Sequence, residues 1–177
     1  MTETSVQLTV KVVSGDRIGR VTGNQVDERS LRAAIESARA LARASRKVEK
    51  LLPLVGPQTY TKVDGYRKET ARQSPADRAA LVEPATAGLR KLRLDGAGIV
   101  EARERFLGFG TSAGALASGR ATEAIMSVTA RTKDGGAGFA ERLNASATAI
   151  DPVALAAVAA DKALKSRKPT TLAAATR

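Results

Sequence analysis

The chain has 177 residues, 43% hydrophobic and 27% charged, which suits one or two small lobes around a buried core; with aromatics at 3%, that core must rest on Ala, Val, Leu and Ile. It contains no cysteine and no histidine, which excludes disulfides, thiolate nucleophiles, sulfur-ligated zinc and the imidazole chemistry of most triads, zinc sites and neutral-pH general bases. The 29 Lys and Arg against 18 acids give a net charge of +11, which invites an anionic partner such as nucleic acid, but the basic residues are spread over every segment.

Small basic clusters occur at residues 43–50, 90–93 and 162–168, the last two near helix ends, where cations complement the helix dipole. No apolar run approaches the roughly 20 residues of a membrane span, and the first five residues lack the parts of a signal peptide. A cytoplasmic location without membrane association is expected.

Along the chain, residues 6–13 alternate Val6, Leu8, Val10 and Val12 with Gln7, Thr9 and Lys11, the period of a half-buried strand. Ser14-Gly15-Asp16 reads as a turn, and residues 17–22 as the returning strand. Asp27 can cap the next helix, with Glu28 in its first turn, and Leu31, Ala34, Ile35, Ala38, Leu41 and Ala42 form one face predicted to pack on the hairpin.

From residue 50 to 74 periodicity is lost among Pro53, Gly56, Pro57 and Gly65, and both tyrosines, Tyr60 and Tyr66, fall there. Ser74-Pro75-Ala76-Asp77 starts a helix with a serine cap, a proline at the first helical position and an acid at the third. Its inner face is predicted as Ala80, Leu81, Ala85, Leu89 and Leu92, with Pro84 expected to kink or split it. An extended run follows from Asp95 through Ile99, Val100 and Ala102 to Phe106, and a return strand is expected to begin within 107–110. Residues 123–131 form the clearest strand of this half, Lys133-Asp134-Gly135-Gly136 a turn, and 138–143 the strand that pairs back. Asp151-Pro152 opens the last helix, carrying Leu155, Ala156, Ala159, Ala160, Ala163 and Leu164, with Pro169 expected to end it.

Two of these stretches read as copies of one unit: strand, Asp/Gly turn, strand, Asp-initiated helix, Ser-Arg-Lys. The spacing between copies is 119 residues at Gly19 and Gly138, 124 at Asp27 and Asp151, and 121 at Ser45 and Ser166. Hairpins feeding helices, without a strand-helix-strand rhythm, predict an α+β fold of antiparallel hairpins covered by helices. The expected organisation is a first hairpin-helix unit over 1–52, incomplete at its start, a linker over 53–73, a second helix-sheet-helix unit over 74–169, and a tail over 170–177.

Motifs that carry chemistry are nearly absent. Gly108-Phe-Gly-Thr-Ser-Ala-Gly resembles a phosphate cradle but lacks the Lys-Ser/Thr ending of a P-loop, and it reads as a strand turn, as does Ser118-Gly119-Arg120. Asp16 and Asp134 stand beside glycine at hairpin tips with too few oxygen ligands near them for calcium. Glu101 and Glu104 fall on opposite faces of a strand, with Arg103 and Arg105 as charge partners, so they make no catalytic pair. Val63-Asp64-Gly65-Tyr66 reads as a tight turn whose tyrosine pins the linker to a lobe. No catalytic, cofactor-binding or metal-binding residue is assigned.

Several stretches, in order and spacing, resemble the N-terminal region of the TldD/PmbA (TldE) family, metallopeptidases formerly described as modulators of DNA gyrase. They are Val10-Lys-Val-Val-Ser-Gly-Asp-Arg-Ile-Gly before Asn24-Gln-Val-Asp-Glu-Arg-Ser-Leu; Tyr60-Thr-Lys-Val-Asp-Gly-Tyr; Ser74-Pro-Ala-Asp-Arg; Ala117-Ser-Gly-Arg; Gly135-Gly-Ala-Gly-Phe-Ala; and Ile150-Asp-Pro through Ala163-Leu-Lys-Ser-Arg-Lys-Pro. The resemblance implies an α+β domain followed by a C-terminal zinc-binding domain, in hollow dimers of like subunits or of TldD with TldE, where an extended peptide enters and is cleaved. It implies no zinc ligand here, because this sequence has no histidine or cysteine; zinc belongs to the C-terminal domain.

Relative to the family the chain begins inside the first unit, stops where the metal domain would follow, and departs at Pro84. The expected role is a noncatalytic N-terminal domain or truncated form of such a peptidase, with a TldD- or TldE-like subunit or a second copy as partner and an extended peptide as substrate of the assembly. The alternatives are a freestanding basic nucleic-acid-binding protein and an inactive TldE-like partner subunit.

Overall fold

The first hairpin pairs β1 (Leu8–Ser14) with β2 (Arg17–Gly23), in register from Leu8 opposite Gly23 to Ser14 opposite Arg17. A two-residue turn joins them, and Gly15 takes a φ of 59°, a conformation glycine adopts without strain. The computed structural model describes residues 3–168. The expectations for Pro169 and for the tail over 170–177 lie outside those residues.

Helix α1 (Glu28–Ala44) begins where Asp27 accepts a hydrogen bond from Ser30 N at 3.0 Å. It lies on the hairpin through Gly19: a Cβ there would collide with the Ala38 carbonyl and stand 2.5 Å from Ala42 N. Ala38 and Ala42 are accordingly fully buried, whereas Ile35 and Leu41, predicted on the same inner face, are 37% and 50% exposed. The correction has a steric cause. A helix seated this closely on a strand buries only its two small contact residues and leaves larger neighbours at the margin.

The chain divides into two compact units, Met1–Val55 and Gly56–Arg177. The stretch 53–73 read as a linker is therefore divided, and most of it belongs to the second unit, where it includes the short helix α2 (Lys68–Ala71) with Thr70 buried. Thr70 holds it there by accepting Ala147 N at 2.8 Å, in the 3-10 turn Ala147–Ala149.

The second unit is an antiparallel sheet in the order β3-β4-β5, from β3 (Asp95–Gly110), β4 (Leu116–Arg131) and β5 (Ala137–Asn144). The return strand begins at Leu116, later than the predicted 107–110, because β3 runs unbroken to Gly110 and the five residues that follow make the turn. Alternate residues of β4, from Thr122 to Ala130, are buried beneath α3 (Pro75–Lys91) and α4 (Pro152–Lys165). Helix α4 starts at Asp151, which accepts from Val153 N and Ala154 N, and stops at Lys165 with Ser166 as cap, before the proline predicted to end it.

Pro84 does not split α3, which is one helix from Pro75 to Lys91. Its two ends are fixed, so one missing backbone bond is tolerated. At the start, Ser74 and Asp77 form a reciprocal capping box. At the end, Leu94 N donates to Leu89 O at 3.0 Å and Arg93 N to Arg90 O at 2.9 Å, a Schellman motif with Arg93 at a φ of 56°. That turn also corrects the predicted face: Leu92 is 51% exposed and Leu94 takes its place in the core, packed with Leu89. Ala80, at the other end of the predicted face, is exposed.

Candidate functional site

Strand β4 pairs with β5 only from Ala124 to Arg131, so its first half needs another neighbour on that flank. The stretch 56–67 supplies it. A Cβ on Gly114 at the hairpin tip would stand 3.2 Å from Pro57, and one on Gly65 would stand 3.6 Å from Ala121 Cβ. At the inner end Thr122 N donates to Gly65 O at 2.9 Å.

Thr122 is the hub of this junction. Its hydroxyl accepts Arg67 N at 2.9 Å and donates to Ala145 O at 2.8 Å, and the residue is 6% exposed. Two motifs singled out in the sequence meet beside it. The guanidinium of Arg120 lies 4.5 Å from the centre of the Tyr66 ring, a cation–π contact, and forms an ion pair with Glu104 across the strands. Glu104 raises the Arg120 pKa above its ordinary value. Asp64 pairs with Arg67 at 2.9 Å. Tyr66 thus pins 56–67 to the sheet as the sequence predicts.

Glu101 and Glu104 do fall on opposite faces: Glu101 pairs with Arg103, and Glu104 with Arg120 rather than with either neighbouring arginine. Arg103 and Arg105 both approach Glu123, at 3.5 and 4.0 Å. The Gly108–Gly114 run ends β3 at Gly110 and enters the β3–β4 turn, closed by Thr111 N to Ala115 O at 2.9 Å, and a strand rather than a helix follows it. Asp16 and Asp134 are engaged by Lys47 and Arg167. Among the described residues no three His, Cys, Asp or Glu side chains come together.

What the arrangement offers is backbone and surface. β3 pairs with β4 alone, leaving a long strand edge, and the face turned away from α3 and α4 carries Ile99, Phe139 and Leu143, each more than half exposed. Phe106, Leu107 and Leu116 near the hairpin tip are 69%, 74% and 81% exposed. Sequence reasoning missed Thr122; its one signal was a hydroxyl at inward parity among Ala124, Met126 and Val128. Among the described residues no helix is long and apolar enough to cross a membrane.

Solved structures share this fold. A candidate modulator of DNA gyrase from Thermotoga maritima superposes with a TM-score of 0.77 at 14% identity, over 94% of this chain and 39% of that one. TldE from Thermococcus kodakarensis gives 0.71 at 20% identity over 89% and 37%, and a candidate modulator of DNA gyrase from Bacteroides thetaiotaomicron gives 0.75 at 16% over 94% and 40%. The chain spans about two fifths of the length of each. Its sequence matches no protein-family model and no curated protein.

Proposed function

We propose that this chain, whose α+β fold is shared with part of TldE and of DNA-gyrase-modulator proteins, is the noncatalytic N-terminal region or a truncated form of a TldD/PmbA-like zinc metallopeptidase. The observation that carries the reading is the superposition of 94% of the chain on 39% of one such protein. In this reading the two units shape a peptide-threading chamber and the dimer around it, in the cytoplasm. The unpaired edge of β3 is suited to receive an extended chain through backbone hydrogen bonds. The peptidase chemistry belongs to residues this chain does not contain, since it has no histidine or cysteine to hold zinc.

A second reading, an inactive TldE-like partner subunit, draws support from the likeness to TldE itself. Affinity purification of the tagged chain from its native cells tests both. The expected result is co-purification of a histidine-containing peptidase subunit, or a native product of mass well above 18.4 kDa that carries the metal domain. Chelator-sensitive proteolysis by the purified 177-residue chain would overturn both readings, and steeply salt-dependent nucleic-acid binding without such a subunit would replace them with a basic binding protein.

A further inference from the structure

We propose that 57–66 is a strand held just short of pairing, and that it exchanges between the unbonded strap of this structure and a parallel ladder on the first half of β4. The device lies wholly within the second unit and depends neither on the peptidase reading nor on any partner.

The strap already has the shape, direction and register of a strand. Residues 56–67 run without a turn or bend. Pro57 lies beside Gly114 and Gly65 beside Ala121, so strap and β4 run the same way. The bond from Thr122 N to Gly65 O is the first of the two that set Tyr66 opposite Thr122 in a parallel pair. The second, from Arg67 N to the Thr122 carbonyl, is diverted to the Thr122 hydroxyl at 2.9 Å. Tyr66 meets Arg120, two residues along β4 from Thr122 and on the same face, as that pairing requires. There the pairing stops: among the described residues, Thr122 N to Gly65 O is the only backbone hydrogen bond between 56–67 and β4.

Backbone groups alternate along a strand, so the N–H and C=O of Arg120 and Ser118 share the Thr122 flank, where β5 reaches only to Ala124. Continuing the register gives each a partner. Arg120 N meets Val63 O and Gly65 N meets Arg120 O; then Ser118 N meets Thr61 O and Val63 N meets Ser118 O. What keeps them apart is length. The strap takes nine residue steps from Pro57 to Tyr66 where β4 takes eight from Gly114 to Thr122, and the spare residue must be taken up at the hairpin tip before the two can close. Because the strap is already extended and tied at 65–67, little ordering entropy opposes closure. The Thr122 junction is the same in both states. The exchange sets whether this flank of β4 is a sealed strand or an open edge.

The test is NMR relaxation dispersion on the isotope-labelled full chain. Amides at 61–65, Ser118 and Arg120 are expected to report one shared process on the μs–ms scale, to a minor state of roughly 1–10%. In that state the Ser118 and Arg120 amide protons are expected to shift downfield as they gain acceptors, while the β4 amides paired with β5 stay flat. Val63→Pro removes the donor to the Ser118 carbonyl. The Val63 side chain is 80% exposed and its N–H is unbonded in this structure, so the fold is kept. This variant is expected to cut the minor population roughly fivefold or more. Flat profiles at these amides in the parent chain overturn the proposal. So does dispersion that Val63→Pro leaves unchanged or enlarges, which is the behaviour of a strap that merely detaches.

Discussion

Asp16 and Lys47 meet at 2.9 Å and tie the tip of the first hairpin to the residues that follow α1. Asp134 and Arg167 repeat the tie in the second unit at 2.7 Å. Lys47 holds the Asp16 carboxyl below the usual carboxylate range, and Thr132 followed by Arg167 does the same for Asp134. Ser30 lowers Asp27, and the Ser74 backbone N–H lowers Asp77. These groups titrate lower in the folded chain than the unfolded value of about 3.9, so they stabilise above that pH and the contribution is lost as pH falls through their folded values. Lys47, raised by Asp16, has the opposite sign: its contribution is present below about 10.4 and lost as pH rises through the folded value. Urea midpoints are therefore expected to fall below about pH 4, and less steeply in the Asp16→Asn/Asp134→Asn double variant; an identical acid limb in the two proteins would refute the assignment.

Arg93 occupies the left-handed position of the α3 Schellman motif, where a side chain costs about 1 kcal/mol relative to glycine. Arg93→Gly is expected to stabilise the chain by roughly that amount in equilibrium denaturation. Loss of stability would mean that the guanidinium makes a contact outweighing the backbone strain.

Thr122→Val preserves shape but removes the acceptor for Arg67 N and the donor to Ala145 O. The expected cost is about 2 kcal/mol, because buried polar groups are left without partners. The stretch 56–67 should also open locally, so trypsin is expected to cut after Lys62 and Arg67 faster than in the parent chain. Unchanged cleavage would show that Tyr66 and Gly65 hold the segment without the hydroxyl.

Gly19→Ala and Gly138→Ala each drive a methyl into helix backbone and are expected to destabilise by about 3 kcal/mol. Gly23→Ala, with open space around its Cα, is the control and is expected to be neutral or slightly stabilising. Equal thermal midpoints for all three variants would dismiss the close seating of helix on strand.

The helix starts at Asp27, Ser74 and Asp151 were legible because a cap is a local arrangement of a few adjacent residues. The turns at Gly15–Asp16 and at 133–136 were legible for the same reason, whereas the return strand after β3 was expected too early and Ser118-Gly119-Arg120, read as a turn, lies within β4. The extent of burial was not: Leu41 and Leu92 fit a helical period yet lie outward, since how near a helix sits to its sheet is set by Gly19 and Ala38 in one case and by the Arg93 turn in the other. The junction at Thr122 was only half visible. Tyr66 announced itself as a pin, but its partner Arg120 is 54 residues away, and no local pattern encodes that meeting. The single helix through Pro84 likewise depends on end contacts and packing that outweigh one proline.

The glycine seams also determine which mutations can be undone. At Gly96 an added methyl meets the tip of the Leu89 side chain, so a smaller residue at 89 makes room and a second-site suppressor exists. At Gly19 and Gly138 the obstacle is the carbonyl of Ala38 or Ala159, which every amino acid carries. No replacement at 38 or 159 shortens it. A genetic screen for revertants of Gly19→Ala or Gly138→Ala should recover true reversion at the glycine codon, whereas a screen from Gly96→Ala should also return changes at Leu89.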